Sequence, residues 1–348
     1  MKFFFQILSL VINKGKVSEN KYILQNEKYK GIDNRDTPMR VYFSKKYTHK
    51  TAILFLGASP DGEKHKALNF LARSLTHFGY NVYIPRIPPL MMLDISNRNI
   101  DWIQHIYKMI QSRQEVNVKY ITAVGISYGG GMLLKASLND KMKDPPPKSI
   151  FLYGSGCDVD TILKFITKGE FYFRGKKNTI KPHDWGLTVF FHHFMDDIDF
   201  GFDKKNIKEV IQYRIKNEKD IANEKLALLK GVEYKITNSI INGDIIPEVQ
   251  KIVDRVIIDK KDYINELSCK PICNKVESKV FIFHGANDNM VPFTESIQLD
   301  KLINNSNLLI SYLFEHKGLS SKSNIFFKIK EAIKLVLFFY KFDKYNAS

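Results

Sequence analysis

The stretch from Tyr120 to Met132, which reads YITAVGISYGGGM, constrains this chain most strongly. Its first residues are apolar and β-branched, as in a buried strand, and the residues up to Ser137 suit a helix. Between them stands Gly125-Ile-Ser-Tyr-Gly129, a G-x-S-x-G pattern. On a sharp turn from strand to helix, a serine hydroxyl stands clear of the sheet, and side chains at both glycines would collide with neighbouring backbone. An ordinary N-capping serine is the alternative interpretation.

Short apolar segments alternate with helical patterns on both sides of this stretch. This rhythm predicts an α/β protein with a mostly parallel sheet covered by helices on both faces. The predicted strands cover residues 39–44, 51–56, 80–84, 149–153, 279–283 and 308–314, and the predicted helices cover 67–78, 100–110, 295–302 and 325–342.

The alternation stops between about residues 161 and 268, where helical patterns are separated by charged turns. The simplest interpretation is a helical cap over 161–268, inserted into a core formed by 26–160 and 269–348. Residues 1–25 are assigned to an N-terminal apolar helix or anchor. The apolar run over 3–12 is too short to span a bilayer, and no small-x-small cleavage site follows it. We expect a helix docked on the protein or, through residues 3–12, on a membrane surface.

The formal net charge of +16 raises the question of a nucleic-acid partner. The lysines are spread along the whole chain and no nucleic-acid module is recognisable, so we expect no such partner. Cys157, Cys269 and Cys273 are an odd number, which argues against a disulfide framework and favours a reducing, cytoplasmic compartment. The C-x-x-x-C spacing of the last two could suggest a metal clip, but no second pair of ligands accompanies it. We therefore expect three small buried residues and no metal.

A second group of candidate ligands lies in the predicted cap. His192 and His193 are followed by Asp196 and Asp197. Adjacent residues on a helix point about 100° apart, so neighbouring histidines rarely share one ion. A cap helix with polar and aromatic faces is the preferred interpretation.

Two further candidates follow late strands of the predicted sheet. Asp288 lies in a turn after the strand near Phe283, and His316 follows the strand near Phe314. Because the carboxyl ends of parallel strands share one edge of the sheet, both should converge with Ser127. Their order along the chain is nucleophile, acid, base. Asp158 and Asp160 are rivals for the acid, because they come just after the strand that ends at residue 153.

With these motifs in place, the chain resembles the α/β-hydrolases. The segment GISYGG at 125–130 matches their nucleophile elbow, HGANDNMVP at 284–292 matches their acid loop, and LGASPDG at 56–62 resembles their oxyanion loop. The resemblance covers roughly 38–160 and 269–342. Many members carry His-Gly where this chain has Leu56-Gly57, a difference that bears on the subfamily.

The resemblance implies a serine hydrolase that acts through an acyl-enzyme intermediate without a cofactor. Ser127 would be the nucleophile, His316 the base that takes its proton, and Asp288 the acid that orients the imidazole. Backbone N–H groups of Ala58 and Tyr128 would hold the oxyanion. The expected substrate is a small carboxylic ester, as for a carboxylesterase or lipase. The alternatives are acyl transfer, peptide hydrolysis, and a non-catalytic binding protein on the same fold.

Overall fold

The computed structural model describes residues 19–46, 48–315, 318–319 and 325–348. Its strands are β1 Tyr22–Lys30, β2 Asp36–Ser44, β3 Lys50–Phe55, β4 Tyr80–Pro85, β5 Ile121–Ile126, β6 Ser149–Tyr153, β7 Glu170–Phe173, β8 Lys176–Thr179, β9 Lys279–Asn287, β10 Ser306–Glu315 and β11 Gly318–Leu319. Its α-helices are α1 Lys66–His77, α2 Pro88–Met91, α3 Asn99–Gln111, α4 Tyr128–Ser137, α5 Asp140–Lys143, α6 Val159–Lys168, α7 Asp184–Phe194, α8 Lys205–Ile215, α9 Lys219–Ala227, α10 Gly231–Asn242, α11 Pro247–Asp259, α12 Lys261–Leu267, α13 Thr294–Leu302 and α14 Ile325–Ala347.

One large sheet runs through the molecule in the order β1-β2-β4-β3-β5-β6-β9-β10-β11. The strands from β4 to β10 in this order pair in parallel, whereas β1, β2 and β11 pair antiparallel with their neighbours. The central strands are buried along almost their whole length because helices cover both of their faces. The predicted α/β architecture with a mostly parallel sheet is therefore confirmed.

Helices cover the sheet on both sides. On one face α3 and α4 pack against it through buried side chains such as Trp102, Ile106 and Leu133. On the other face α1 and the closing helix α14 contribute Leu68, Leu75 and further apolar side chains. The apolar stripes expected at helical spacing in the sequence thus point into two separate cores. No helix in the described part of the chain has the length and apolar character needed to cross a membrane.

The segment between β6 and β9 has a hydrophobic core of its own, formed largely by helices α6, α7, α8, α10 and α11. Phe190, Phe191 and Phe194 are buried in it, so the aromatic run on α7 serves packing. Leu93, from the loop after α2, is buried in the same core, and Ala58, from the loop after β3, packs against it. The helical segment therefore lies over the loops at the carboxyl ends of the parallel strands.

Two sequence-based assignments need correction. Residues 22–25 belong to strand β1 and not to an N-terminal helix or anchor, so the core begins before residue 26. This strand is an edge strand whose residues are mostly exposed, and it lacks the apolar alternation that reveals buried strands. The segment predicted to be a helical cap also contains the hairpin β7–β8, whose turn places Arg174 and Gly175 at positive φ. The apolar run over 3–12 lies outside the described residues.

Candidate active site

Ser127 occupies a sharp turn between β5 and α4. Its φ of 52° and ψ of −129° lie in a region that side-chain-bearing residues rarely adopt, at a cost of about 1–3 kcal/mol. Its N–H donates a 2.8 Å hydrogen bond to the carbonyl of Tyr153 at the end of β6. The Ser127 side chain makes no capping hydrogen bond to α4. The N-capping interpretation is therefore wrong, and the hydroxyl is held on the turn without a structural hydrogen bond to the helix that it begins.

Crowding explains the glycines that flank this serine. A Cβ atom at Gly125 would lie 2.5 Å from the Cα of Gly130, where the strand passes under the first turn of α4. A Cβ atom at Gly129 would lie 2.6 Å from the carbonyl oxygen of Phe55 at the end of β3. Both distances are shorter than van der Waals contact allows. The steric argument made from the pattern is thus confirmed for both positions.

Two backbone N–H groups lie beside this turn. Tyr128 is the first residue of α4, so its N–H has no acceptor within the helix. The loop after β3 comes close to it, since a Cβ atom at Gly57 would lie 3.1 Å from the Tyr128 nitrogen. Ala58 follows Gly57 and is half-buried. Among the described residues, no acceptor is seen for the N–H of Ala58 or of Tyr128. We therefore retain both N–H groups as candidate donors to an oxyanion that forms at Ser127.

Asp288 lies directly after β9 in a tight turn. Its Oδ1 accepts hydrogen bonds from the N–H groups of Met290 at 2.8 Å and Val291 at 3.0 Å. The Asp288 side chain is only 15% exposed, and its Oδ2 lies 3.7 Å from His284 Nε2. The turn itself therefore orients the carboxylate through Oδ1.

His284 fastens this acid loop. Its ring is fully buried, with Nδ1 2.6 Å from Ser296 Oγ and Nε2 3.0 Å from the Val291 carbonyl oxygen. Burial lowers the pKa of His284, against the opposing charge of Asp288. The imidazole is therefore neutral at physiological pH and can donate from Nε2 to the carbonyl while Nδ1 accepts from the serine hydroxyl. The histidine of the HGANDNMVP motif is thus a structural residue.

The fold brings Ser127 and Asp288 to one edge of the sheet, on either side of β6. Because neighbouring strands lie about 4.8 Å apart, the strands that carry these two residues are about 10 Å apart. Gly154 lies between these strands, because it follows Tyr153 at the end of β6. It has a φ of +57°, and its N–H donates a 2.9 Å hydrogen bond to the Phe283 carbonyl. A Cβ atom there would lie 3.3 Å from Asp288 Oδ2.

Gly154 was missed by sequence reasoning, although the Gly-Ser-Gly run directly after β6 was a signal for close backbone approach. Its neighbour Tyr153 also senses the acid. Burial, and then the charge of Asp288, raise the pKa of Tyr153 to about 12, so the phenol remains neutral beside the carboxylate. The end of β6 therefore forms part of the candidate site.

His316, the predicted base, lies outside the described residues. Strand β10 ends at Glu315, the residue before it, and pairs in parallel with β9. In this register Glu315 lies opposite Asn287, the residue before Asp288. At position 315 the backbone therefore lies beside the residue that leads into Asp288. The role of His316 stays a prediction.

The rival acids have structural partners. Asp158 caps α6 by accepting from the N–H of Asp160, and its second oxygen lies 2.9 Å from Lys270 Nζ. The Asp160 carboxylate pairs with Lys164 at 2.6 Å. Neither carboxylate lies in the loop that His284 fastens, so we retain Asp288 as the candidate acid.

The histidine pair on α7 is divided between two neighbours. His192 Nε2 lies 3.0 Å from the Met92 carbonyl oxygen, and His193 Nε2 lies 3.0 Å from the Tyr263 hydroxyl. Within the described part of the chain, these histidines form no ligand group with Asp196 or Asp197. His193 thus joins two helices of the helical segment, whereas His192 joins that segment to the loop after α2.

Comparisons with known proteins agree with this architecture. No protein-family model matches the sequence, and no curated protein does. Among solved structures, an acylaminoacyl peptidase from Pyrococcus horikoshii matches with a TM-score of 0.52 and 12% identity, over 97% of this chain and 43% of the peptidase, so this chain spans less than half of that protein. A 2,6-dihydroxy-pseudo-oxynicotine hydrolase matches with a TM-score of 0.48 and 12% identity, over 90% of this chain and 67% of the hydrolase.

A meta-cleavage product hydrolase from Pseudomonas fluorescens matches with a TM-score of 0.44 and 14% identity, over 90% of this chain and 97% of that chain. At 12% identity the likeness to the peptidase concerns the fold alone. The strand order, the turn at Ser127 and the match to the peptidase agree on that fold. The chain therefore has the fold of the α/β-hydrolase superfamily.

Proposed function

We propose that this protein is a serine hydrolase that cleaves a carboxylic ester, with Ser127 as its nucleophile. One observation carries the proposal: Ser127 stands on a strained turn, its side chain does not cap α4, and the loop that contains Ala58 approaches the N–H of Tyr128. A serine that merely began a helix would gain more from capping it than from this conformation.

The reaction follows from the chemistry of the groups. His316 takes the proton of the Ser127 hydroxyl as the oxygen attacks the ester carbonyl, and Asp288 stabilises the imidazolium that forms. The N–H groups of Ala58 and Tyr128 bind the tetrahedral oxyanion, and each contributes about 3 kcal/mol. The imidazolium then protonates the leaving alcohol. Water, activated by the same histidine, hydrolyses the acyl-enzyme and restores the serine.

Apolar side chains lie on the segments that follow β3 and β6, the two strands next to β5. Ala58 packs against the core of the helical segment, and Val159 and Ile162 at the start of α6 are half-buried against the same core. A Cβ atom at Gly156 would lie 2.2 Å from Ile162 Cδ1, so α6 closes over the chain that leaves β6. These side chains favour a carboxylic ester with a hydrocarbon acyl chain over a charged substrate.

Labelling with a fluorophosphonate tests the nucleophile, because such probes react preferentially with activated serines. We expect the purified wild type to be labelled and Ser127→Ala not to be labelled at all. Asp288→Asn should label on the order of 10⁴-fold more slowly, since loss of the acid misorients the base. Asp158→Asn is the matched control and should label at the wild-type rate.

Labelling that persists in Ser127→Ala would contradict the assignment of the nucleophile. Slow labelling in Asp158→Asn alone would show that the catalytic acid is Asp158, which follows β6, and not Asp288.

A chain-length series of p-nitrophenyl esters then tests the substrate class. Turnover should rise with acyl length until the pocket is filled. A wild type that labels but hydrolyses no ester would indicate acyl transfer or peptide hydrolysis instead.

A further inference from the structure

The three cysteines of the chain meet at one point. Cys157 follows β6. Cys269 directly precedes the 3₁₀ helix Lys270–Lys275, which comes before β9, and Cys273 lies within that helix. Their side chains are 1%, 2% and 0% exposed. All three Sγ atoms lie within 4.8 Å of one another, and none is in a disulfide. The cluster is separate from the candidate active site, although it packs behind the helix that starts there.

Main-chain hydrogen bonds hold the two segments in place. The Cys157 carbonyl accepts from the N–H of Cys269 at 3.2 Å and of Lys270 at 3.0 Å. The Cys157 N–H donates to the buried carboxylate of Glu295 at 3.0 Å. The three sulfur atoms are thus brought together by a frame that does not depend on contacts among the thiols, as a preformed ligand site requires.

Two of the thiols lie against main-chain carbonyl oxygens. Cys269 Sγ is 3.5 Å from the Gly156 carbonyl and 3.6 Å from the Cys157 carbonyl, and Cys273 Sγ is 3.2 Å from the Cys269 carbonyl. Metal binding requires these thiols to lose their protons, because the thiolate is the form of cysteine that binds metal ions.

We propose that Cys157, Cys269 and Cys273 bind one thiophilic d¹⁰ metal ion, with Zn²⁺ as the expected species. Zn–S bonds of about 2.3 Å place the sulfurs of a tetrahedral site about 3.8 Å apart, which the cluster reaches with small shifts. Binding replaces three S–H bonds with three metal–sulfur bonds and releases three protons, with no change of oxidation state. The carbonyl oxygen of Gly156, 3.5 Å from Cys269 Sγ, is a donor within reach of the fourth position.

This site differs from the clip considered in the sequence. Cys269 and Cys273 supply only two ligands, and the third comes from a residue 112 positions away from Cys269. The metal would join the end of β6 to the turn before β9. It would also support α4, because a Cβ atom at Gly131 would lie 3.7 Å from Cys269 Sγ.

Metal content and cobalt spectroscopy of the full chain test this proposal. The protein is expressed with a tag free of histidine, purified without chelator, and analysed by elemental mass spectrometry. We expect one zinc per chain. Chelated protein reloaded with Co²⁺ should show a thiolate-to-cobalt charge-transfer band, which cobalt bound to surface histidines does not give.

Cys157→Ser and Cys273→Ser should each lose the band and weaken Zn²⁺ binding by more than about 100-fold, the upper range for loss of a mere outer-shell partner. His193→Gln is the control and should keep both. Should the serine variants fail to fold, the wild type still decides the question. Reduced, folded wild type without the cobalt band, a disulfide among the three cysteines in place of metal, or unchanged binding in Cys273→Ser would each overturn the proposal.

Discussion

At the scale of single residues, the candidate site depends on backbone positions that tolerate no side chain. The strained conformation of Ser127 persists because Gly125 and Gly129 let the strand, the neighbouring loop and the helix approach to within contact distance. The sharp turn is therefore specified by the lack of room for a side chain at these glycines as much as by the serine.

Two glycines of α4 offer a matched test. A Cβ atom at Gly129 meets the carbonyl oxygens of Phe55 and Leu56 at 2.6 and 2.7 Å, whereas at Gly131 the nearest atom is 3.7 Å away. Gly129→Ala should lower the free energy of unfolding by about 1–3 kcal/mol through overpacking. Gly131→Ala should leave it unchanged or raise it by up to about 1 kcal/mol, because alanine favours the helix. Urea unfolding measures both, and equal effects would refute the steric explanation.

At the scale of elements, the end of α1 contains a buried histidine among cations. His77 is 8% exposed, and Lys21 Nζ lies 3.4 Å from its Nδ1. Burial, then the charges of Lys21 and Lys46, lower the pKa of His77 from 6.5 to about 4. The folded chain therefore keeps this imidazole neutral in a pH range where the unfolded chain protonates it.

The lowered pKa of His77 makes the stability of the protein depend on pH. Between pH 6.5 and about 4 the unfolded state binds more protons at His77 than the folded state does. The stability that the neutral His77 contributes is therefore complete above pH 6.5 and is lost as the pH falls to about 4. His77→Gln should flatten the stability curve in this window. Lys21→Met should narrow the window by raising the pKa of His77. Urea unfolding at a series of pH values compares the three proteins, and parallel curves would contradict the assignment.

Elements differ in how clearly the sequence predicted them. The buried strands β3, β5, β6 and β9 were evident because their apolar runs end in turn residues. Strand β1 was missed since only Tyr29 of its nine residues is buried, so its sequence lacks an apolar face. The hairpin β7–β8 was missed because its pairing, with the Arg174-Gly175 turn, outweighs the helical pattern around it.

At the scale of the whole molecule, the last helix closes the core. Phe342 of α14 stacks with Tyr80 and meets Phe151 and Phe281 edge-on, and these aromatic residues belong to three strands. Asn346 is fully buried and its Oδ1 accepts from Ser149 Oγ at 2.7 Å. The end of the chain thus joins strands that are far apart in sequence.

Two substitutions on α14 measure this closure. Phe342→Ala should cost about 3–5 kcal/mol of unfolding free energy, because it empties space among aromatic side chains. Leu337→Ala, on the same helix at a side chain that is 54% exposed, should change stability by no more than about 0.5 kcal/mol. Chemical unfolding of both variants gives the comparison. A small loss for Phe342→Ala would show that α14 does not complete the core.

The sequence alone was enough to predict the strand–turn–helix around Ser127, the α/β architecture and the loop that contains Asp288. Such features depend on residues that are neighbours in the chain, through turn preferences and the burial of a single face. The meeting of Cys157 with Cys269, and the place of Gly154 between Ser127 and Asp288, became evident only in the folded chain. They follow from the order in which strands pair, and that order is set by packing summed over the whole core, which no local pattern records.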